Sequence, residues 1–312
     1  MKLKKKIFFW SPLLSHVGTI NAAQLSAESL KRYLNCEVYL INVFGEFDHL
    51  KEKKYFKLLN IYKFRNWKKT GFLSKFIIYP LTLLSIFHLI FYYKKFCPDI
   101  IVSNLVGYVP NILKFFFPKL VIVNSIQGYP RFNYFRKILW KIFYNKSDYI
   151  FTMTNISKKK IKESINYQNK IFKVNNPVIN RNIRILSNLN IEKQDQIFFN
   201  KINFCAIGRL TRQKNFIEIT QAVALLDKEY KKKFNILIIG NGEKYKEISK
   251  EINRKNLNNI FMLGFRKNPY PYLRKSDFFI STSLWEEPGH AILEAGYLNK
   301  LIISSNCPNG PR

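Results

Sequence analysis

The chain has 312 residues, 47% of them hydrophobic and 16% aromatic, which suffices for two domains with their own cores and excludes a disordered chain. Its formal charge is +32, and residues 1–176 hold 30 basic against 8 acidic side chains. That imbalance points to an anionic partner, nucleic acid or membrane, alongside a compositional lean toward Lys, Asn, Ile and Phe. The four cysteines, Cys36, Cys97, Cys205 and Cys307, are scattered. They read as reduced cytosolic thiols and not as a disulfide frame or a zinc site.

The start, Lys2 to Lys6 followed by Ile7–Trp10, imitates a signal peptide, but Ser11-Pro12 breaks it and no small-residue cleavage site follows. A buried strand over Lys6–Trp10 is the better reading, with Gly18 in the turn after it. A helix is expected over Ala22–Leu34 and a strand over Glu37–Val43. Residues 51–69 add eight cations, and Phe76 to Tyr93 is an uncharged run of 18 residues, the lower limit for a membrane span. It reads as a spanning helix, an interfacial helix or a core helix. The strand at Ile100–Ser103, directly after a Pro98 turn, favours a non-spanning helix with an aromatic and basic face that touches lipid. Further strands are expected at Leu120–Asn124, Tyr149–Met153 and Ile171–Asn175, with a helix at Ile138–Tyr144.

The Asn- and Arg-rich stretch 179–200 marks a junction, giving domains 1–180 and 181–312. The second half repeats the alternation, with strands at Asn203–Ile207, Asn235–Ile239, Ile260–Leu263, Phe278–Ser281 and Leu301–Ser304. Helices are expected at Asn215–Leu226, Glu243–Ile252, Pro271–Lys275 and His290–Leu298. The fold class is α/β: two Rossmann-like, doubly wound halves facing a cleft, with ligands at the carboxyl ends of the strands.

Three groups carry candidate chemistry. Gly208-Arg209-Leu210…Lys214-Asn215 lies where a strand ends and a helix starts, with Asn215 as a possible cap. Arg209 can fork across diphosphate oxygens while Lys214 supplies a point charge; a solvated basic loop is the plain alternative. Gly240-Asn241-Gly242 is a tight turn, near a phosphate or simply a turn. In Glu286-Glu287-Pro288-Gly289-His290-Ala291-Ile292-Leu293-Glu294 two carboxylates stand eight steps apart. On one continuous helix they would differ by about 80° and about 12 Å, suiting two ends of a long polar ligand. Glu286 alone would pass for a helix-start acid; Glu294, among Ala291, Ile292, Leu293 and Ala295, needs hydroxyl or cationic partners. No His, Cys or Asp cluster suggests a metal.

Strand–Gly-Arg-Leu–loop–Lys-Asn–helix, followed by Glu, seven residues and Glu, resembles glycosyltransferase family 4, retaining enzymes of the GT-B fold. Asn176-Pro177-Val178, Ile260–Phe265 and Cys307–Arg312 look like further landmarks. The resemblance implies that Arg209 and Lys214 neutralise the donor diphosphate without a metal or other cofactor. It further implies that Glu286 contacts the transferred sugar and Glu294 the ribose. Pro288, Gly289, His290 and Gly240 would sit by the sugar and phosphates, and Phe265 and Arg266 by the base. Gly18, His16 and Gln127 would line the loops between donor and acceptor, Gln127 standing where family members often carry a His. The family normally continues beyond the position of Arg312, so the second domain is expected to be incomplete.

The implied activity is transfer of a sugar from a nucleoside diphosphate, with retention, to a glycan or lipid-linked acceptor in surface polysaccharide or lipopolysaccharide assembly. The implied place is peripheral, at the cytoplasmic face of the inner membrane, against anionic lipid. The alternatives are a basic nucleic-acid- or membrane-binding protein without catalysis, and an inactive sugar-nucleotide binder. The aromatics sit in apolar runs and no nucleic-acid recognition motif is evident, so nucleic acid is not an expected partner.

Overall fold

Runs that are apolar at nearly every position, too short for buried helices, must be covered on both faces, and here they form all-parallel sheets. A computed structural model describes residues 4–12, 18–50, 54–62, 79–167, 169–179 and 181–311. The chain divides between Pro177 and Val178 into two units.

The first unit holds a seven-stranded sheet in the order β3-β2-β1-β4-β5-β6-β7. The strands are β1 (Lys6–Trp10), β2 (Glu37–Asn42), β3 (Lys57–Asn60), β4 (Ile100–Ser103), β5 (Val121–Ile126), β6 (Tyr149–Thr152) and β7 (Lys170–Lys173). Helices α1 (Gly18–Leu34), α2 (Ile86–Phe96), α3 (Tyr108–Phe116), α4 (Tyr134–Phe143) and α5 (Asn155–Ile165) accompany it. Phe8, Phe9 and Trp10 of the central β1 are fully buried. The edge strands β3 and β7 carry exposed Lys57, Lys170 and Lys173, which blunt the edges against further pairing. Side-chain caps start α4, where Asn133 accepts from the Arg136 N–H, and α5, where Thr154 accepts from the Ser157 N–H.

The uncharged run at 76–93 is not one helix. Residues 79–84 are helical, the chain turns at Ser85, and α2 begins at Ile86; residues 76–78 lie outside the described residues. Ser85 Oγ donates to the Thr82 carbonyl at 2.5 Å, closing the break locally. Among the described residues no helix is long and apolar enough to cross a membrane.

The second unit holds a five-stranded sheet, β10-β9-β8-β11-β12. Its strands are β8 (Ile202–Ile207), β9 (Phe234–Ile239), β10 (Ile260–Gly264), β11 (Phe278–Ser281) and β12 (Leu301–Ser304). Its helices are α6 (Asn182–Ser187), α7 (Ile217–Ala224), α8 (Lys228–Lys231), α9 (Tyr245–Arg254), α10 (Tyr270–Lys275) and α11 (His290–Tyr297). The polar stretch taken for a junction contains α6 and a 3-10 segment, Lys193–Asn200, with Asp195 buried. One core gathers Ala206, Leu210, Phe216, Ile219 and Ile236; another gathers Cys205, Ile239, Leu273, Phe279 and Ala295.

Both sheets wind the same way. Each first strand, β1 or β8, lies inside its sheet, with its successor on one side and a later strand on the other. At such a reversal the loops diverge and leave a crevice beyond the carboxyl ends of the two adjacent strands. These reversals fall between β1 and β4 and between β8 and β11.

Candidate functional site

In the second unit the loop after β8 carries Arg209 and Lys214, and the loop after its neighbour β11 carries Glu286. The β8 loop is held by a backbone crossing. Gly208 N–H donates to the Ile239 carbonyl at 3.0 Å, Leu210 N–H to Asn241 at 3.0 Å, and Lys244 N–H to Leu210 at 2.9 Å. The crossing has no room for side chains: a Cβ on Gly240 would stand 1.9 Å from the Gly208 carbonyl oxygen, and one on Gly242 2.4 Å from that of Leu210. Gly240 has φ +150°, a conformation L-residues avoid. This glycine, expected near a phosphate, therefore positions the Gly208 loop by letting β9 approach it.

The β8 and β11 loops are also tied together. Leu284 N–H donates to the Gln213 carbonyl at 2.8 Å, Gln213 Nε2 to the Trp285 carbonyl at 3.0 Å, and Thr282 Oγ1 to the Lys214 carbonyl at 3.0 Å. Against this frame Lys214 Nζ meets Glu286 Oε1 at 2.5 Å, and Ser283 Oγ donates to the same oxygen at 2.5 Å. Glu286 is 3% exposed, so its charge is supported by these two donors and not by bulk water. The Glu286 N–H donates to the Pro308 carbonyl at 3.2 Å, and Gly310 packs against the Glu286 side chain.

Glu286 lies in a loop, not on α11, so the helical spacing anticipated for the two carboxylates does not apply. Gly289 caps α11 with φ +93°, after a cis Glu287–Pro288 peptide. His290 opens the helix; burial and the nearby Lys214 hold its pKa below the ordinary value, while Glu286 pulls the other way. Its Nε2 is buried without a hydrogen-bond partner among the described residues. Glu294 follows one turn on and accepts from Tyr270 Oη at 3.2 Å. Burial pushes its pKa up to about 7, against the opposing pull of Tyr270 and Lys214. Lys214 thus acts on Glu286, His290 and Glu294 together, and the structure gathers these four into one cluster.

The other expected residues are placed differently. Arg209 is exposed on the same loop as Lys214 and forms no ion pair among the described residues. Asn215, expected to cap α7, adopts a left-handed φ of +48° and its side chain reaches Glu218 at 3.5 Å. Phe265 is 72% exposed just after β10. Arg266 turns inward, pairing with Asp195 at 2.9 Å and Glu192 at 3.3 Å and donating to Tyr272 Oη at 3.1 Å. Its guanidinium is thereby committed to packing the 3-10 segment against α10.

In the first unit Gly18 is the first residue of α1, and His16 lies outside the described residues. Gln127 follows β5 and exchanges amide hydrogen bonds with Asn176, its Nε2 donating to Asn176 Oδ1 at 3.2 Å and its Oε1 accepting in return. Gln127 Nε2 also donates to Ser125 Oγ at 2.7 Å. At the β1/β4 reversal Asn104 Nδ2 donates to Ser11 Oγ at 2.9 Å. Ser283 and Tyr270 escaped the sequence reading because each acts through an ordinary hydroxyl, and Asn176, noted there as a landmark, gave no sign of its distant partner Gln127.

Known proteins resemble this chain in sequence and in fold. Residues 188–312 match the family model of group 1 glycosyl transferases. An uncharacterized glycosyltransferase of Methanocaldococcus jannaschii is 33% identical over 237 residues, covering 70% of this chain and 58% of that protein. A capsular polysaccharide biosynthesis glycosyltransferase of Staphylococcus aureus is 31% identical over 125 residues, 38% of this chain and 33% of that protein. The chain therefore spans between a third and three fifths of these relatives' lengths. An Anabaena protein solved in complex with UDP and glucose superposes with a TM-score of 0.74 at 18% identity, covering 98% of this chain and 82% of that one. Residues 188–312 thus carry the signature of the group 1 glycosyl transferases, and the fold is that of the GT-B glycosyltransferases.

Proposed function

We propose that the protein transfers a sugar from a nucleoside diphosphate to a glycan or lipid-linked acceptor, with retained anomeric configuration, in surface polysaccharide or lipopolysaccharide assembly at the cytoplasmic face of a membrane. The observation that carries this reading is the Lys214–Glu286 pair at the β8/β11 crevice, 2.5 Å apart and largely desolvated. An ammonium has three donors, and Glu286 takes one, leaving the others for diphosphate oxygens. Arg209, exposed on the same loop, would fork across the same group and, with Lys214, offset the charge that grows on the leaving phosphate without a metal ion. Glu286 would accept from a sugar hydroxyl, and Glu294 from the ribose. His290, neutral in its buried place, offers Nε2 and the α11 amino end to the sugar or phosphate.

The test is titration of the protein with a panel of nucleoside-diphosphate sugars, followed by transfer assays with Arg209→Ala and Glu286→Gln. Both variants should lower turnover by roughly 100- to 1,000-fold, the usual effect of deleting a group that stabilises transition-state charge. Unchanged turnover in both would refute the assignment. Binding without transfer by the parent protein would identify a sugar-nucleotide binder instead.

A further inference from the structure

The first unit presents a surface that the sugar-nucleotide site does not use. Between Asp99 and Asp148 the chain has seven cations and no carboxylate. Helix α4 lies in this stretch, and its one buried side chain is Trp140, which stacks on Tyr144 with ring centroids 4.2 Å apart. Tyr134, Phe135, Ile138, Leu139 and Ile142 are exposed, the two aromatics at 75% and 76%. At about 100° per residue these five fill an arc of about 140°, whose centre lies about 170° from Trp140. The apolar face therefore points away from the core of this unit. Lys137 and Lys141 flank one edge of the arc and Arg136 the other, and all three are exposed. The neighbouring end of α3 adds exposed Phe115 and Phe116, with Lys146 Nζ 5.5 Å from the Phe115 ring centroid.

We propose that α4 and the end of α3 form a membrane-docking surface, with α4 lying parallel to a bilayer rich in anionic lipid. The apolar arc would enter the boundary between headgroups and acyl chains, and the flanking cations would sit at the phosphates. The charge pattern chooses this occupant. A second copy meeting the same face would bring two acid-free basic surfaces together, which repel. A nucleic acid would satisfy the cations but leave Ile138, Leu139 and Ile142 without a partner. The surface sought in the 76–93 run thus has its better-built counterpart on α4.

This inference rests on the lipid-linked acceptor of the proposed function and names where the protein would meet the lipid. Its test is co-sedimentation with phosphatidylcholine vesicles, with and without phosphatidylglycerol, with duplex DNA as a competing polyanion. The protein should partition onto the anionic vesicles. The triple variant Phe135→Ser, Ile138→Ser, Leu139→Ser should lower the partition coefficient by about tenfold or more. Lys137→Gln with Lys141→Gln, a second variant that keeps every apolar contact, should lower it by about fivefold per charge. Nucleoside-diphosphate-sugar affinity, measured in parallel, tells failure of this surface from failure of the transfer site. The proposal is overturned by absence of vesicle binding or by undiminished binding of both variants. Duplex binding that displaces the vesicles and survives the triple variant, or a dimer that the triple variant dissolves while vesicle binding stays, would overturn it too.

Discussion

The two units wind their sheets identically and furnish the resulting crevices with opposite chemistry. Between β1 and β4 the described polar groups are neutral, the Asn104–Ser11 hydrogen bond and, beyond the ends of β5 and β7, the Gln127–Asn176 amide pair. Between β8 and β11 the crevice holds a desolvated ion pair beside a half-buried carboxylate and a histidine whose pKa burial lowers. Neutral amides and hydroxyls suit a platform that recognises polar groups of varied shape. A charged crevice suits one recurrent, highly charged group. The winding creates both openings; the residues at the strand ends decide what each can hold.

The glycines give the sharpest way to break this contrast. Gly240→Ala in the second unit should cost more than about 3 kcal/mol, because it combines a backbone clash with a disfavoured φ, and should abolish sugar-nucleotide binding. Gly128→Ala in the first unit, where no atom lies within 4 Å of the added carbon, should stay within about 0.5 kcal/mol. Chemical denaturation of the two variants reads both numbers, and equal costs would dissolve the distinction.

The polar pairs come next. Lys214→Ala leaves Glu286 buried with Ser283 as its remaining donor and should destabilise by about 3 kcal/mol. Gln127→Ala removes neutral hydrogen bonds and should cost about 1 kcal/mol while leaving sugar-nucleotide affinity intact. A larger loss from Gln127 than from Lys214 in denaturant unfolding would reverse the ranking of the two crevices.

A further effect is a pH dependence at Glu294. Its folded pKa of about 7 lies above the ordinary 4.5, so the folded state holds the proton more tightly than the unfolded one. That contribution is complete below pH 4.5 and is lost as pH rises through 7. Glu294→Gln should flatten the stability profile across this window, as read by unfolding midpoints from pH 4 to about 8. A slope identical to that of the parent protein would place the proton elsewhere.

Much of this architecture was legible in the sequence. Strands β1, β4, β11 and β12 have the boundaries expected of them, because each is a short apolar run between turn residues. Strand β3 was missed, since Lys57-Leu58-Leu59-Asn60 is a brief edge inside a basic stretch and buries little. Helix α3 was missed as well, its Pro110 in the first turn masking an otherwise apolar helix. In the site, Lys214, Glu286 and Glu294 could be nominated because each follows a strand end or sits oddly in an apolar helix. Their partners could not. Tyr270 reaches Glu294 across 24 residues, Asn176 meets Gln127 across 49, and Arg266 finds Asp195 across 71. Such pairings are set by the winding of the sheet, and no local pattern encodes them.

The glycine crossing has one more consequence. Because Leu210 donates to Asn241 and accepts from Lys244, the ribbon bearing the cations is stitched into the same hydrogen-bonded seam that closes the β8–β9 layer. The ribbon is thus held by the scaffold's own backbone hydrogen bonds. Recognition is cast into the scaffold during folding, and exchange of the Leu210 amide with solvent becomes a single-atom gauge of both.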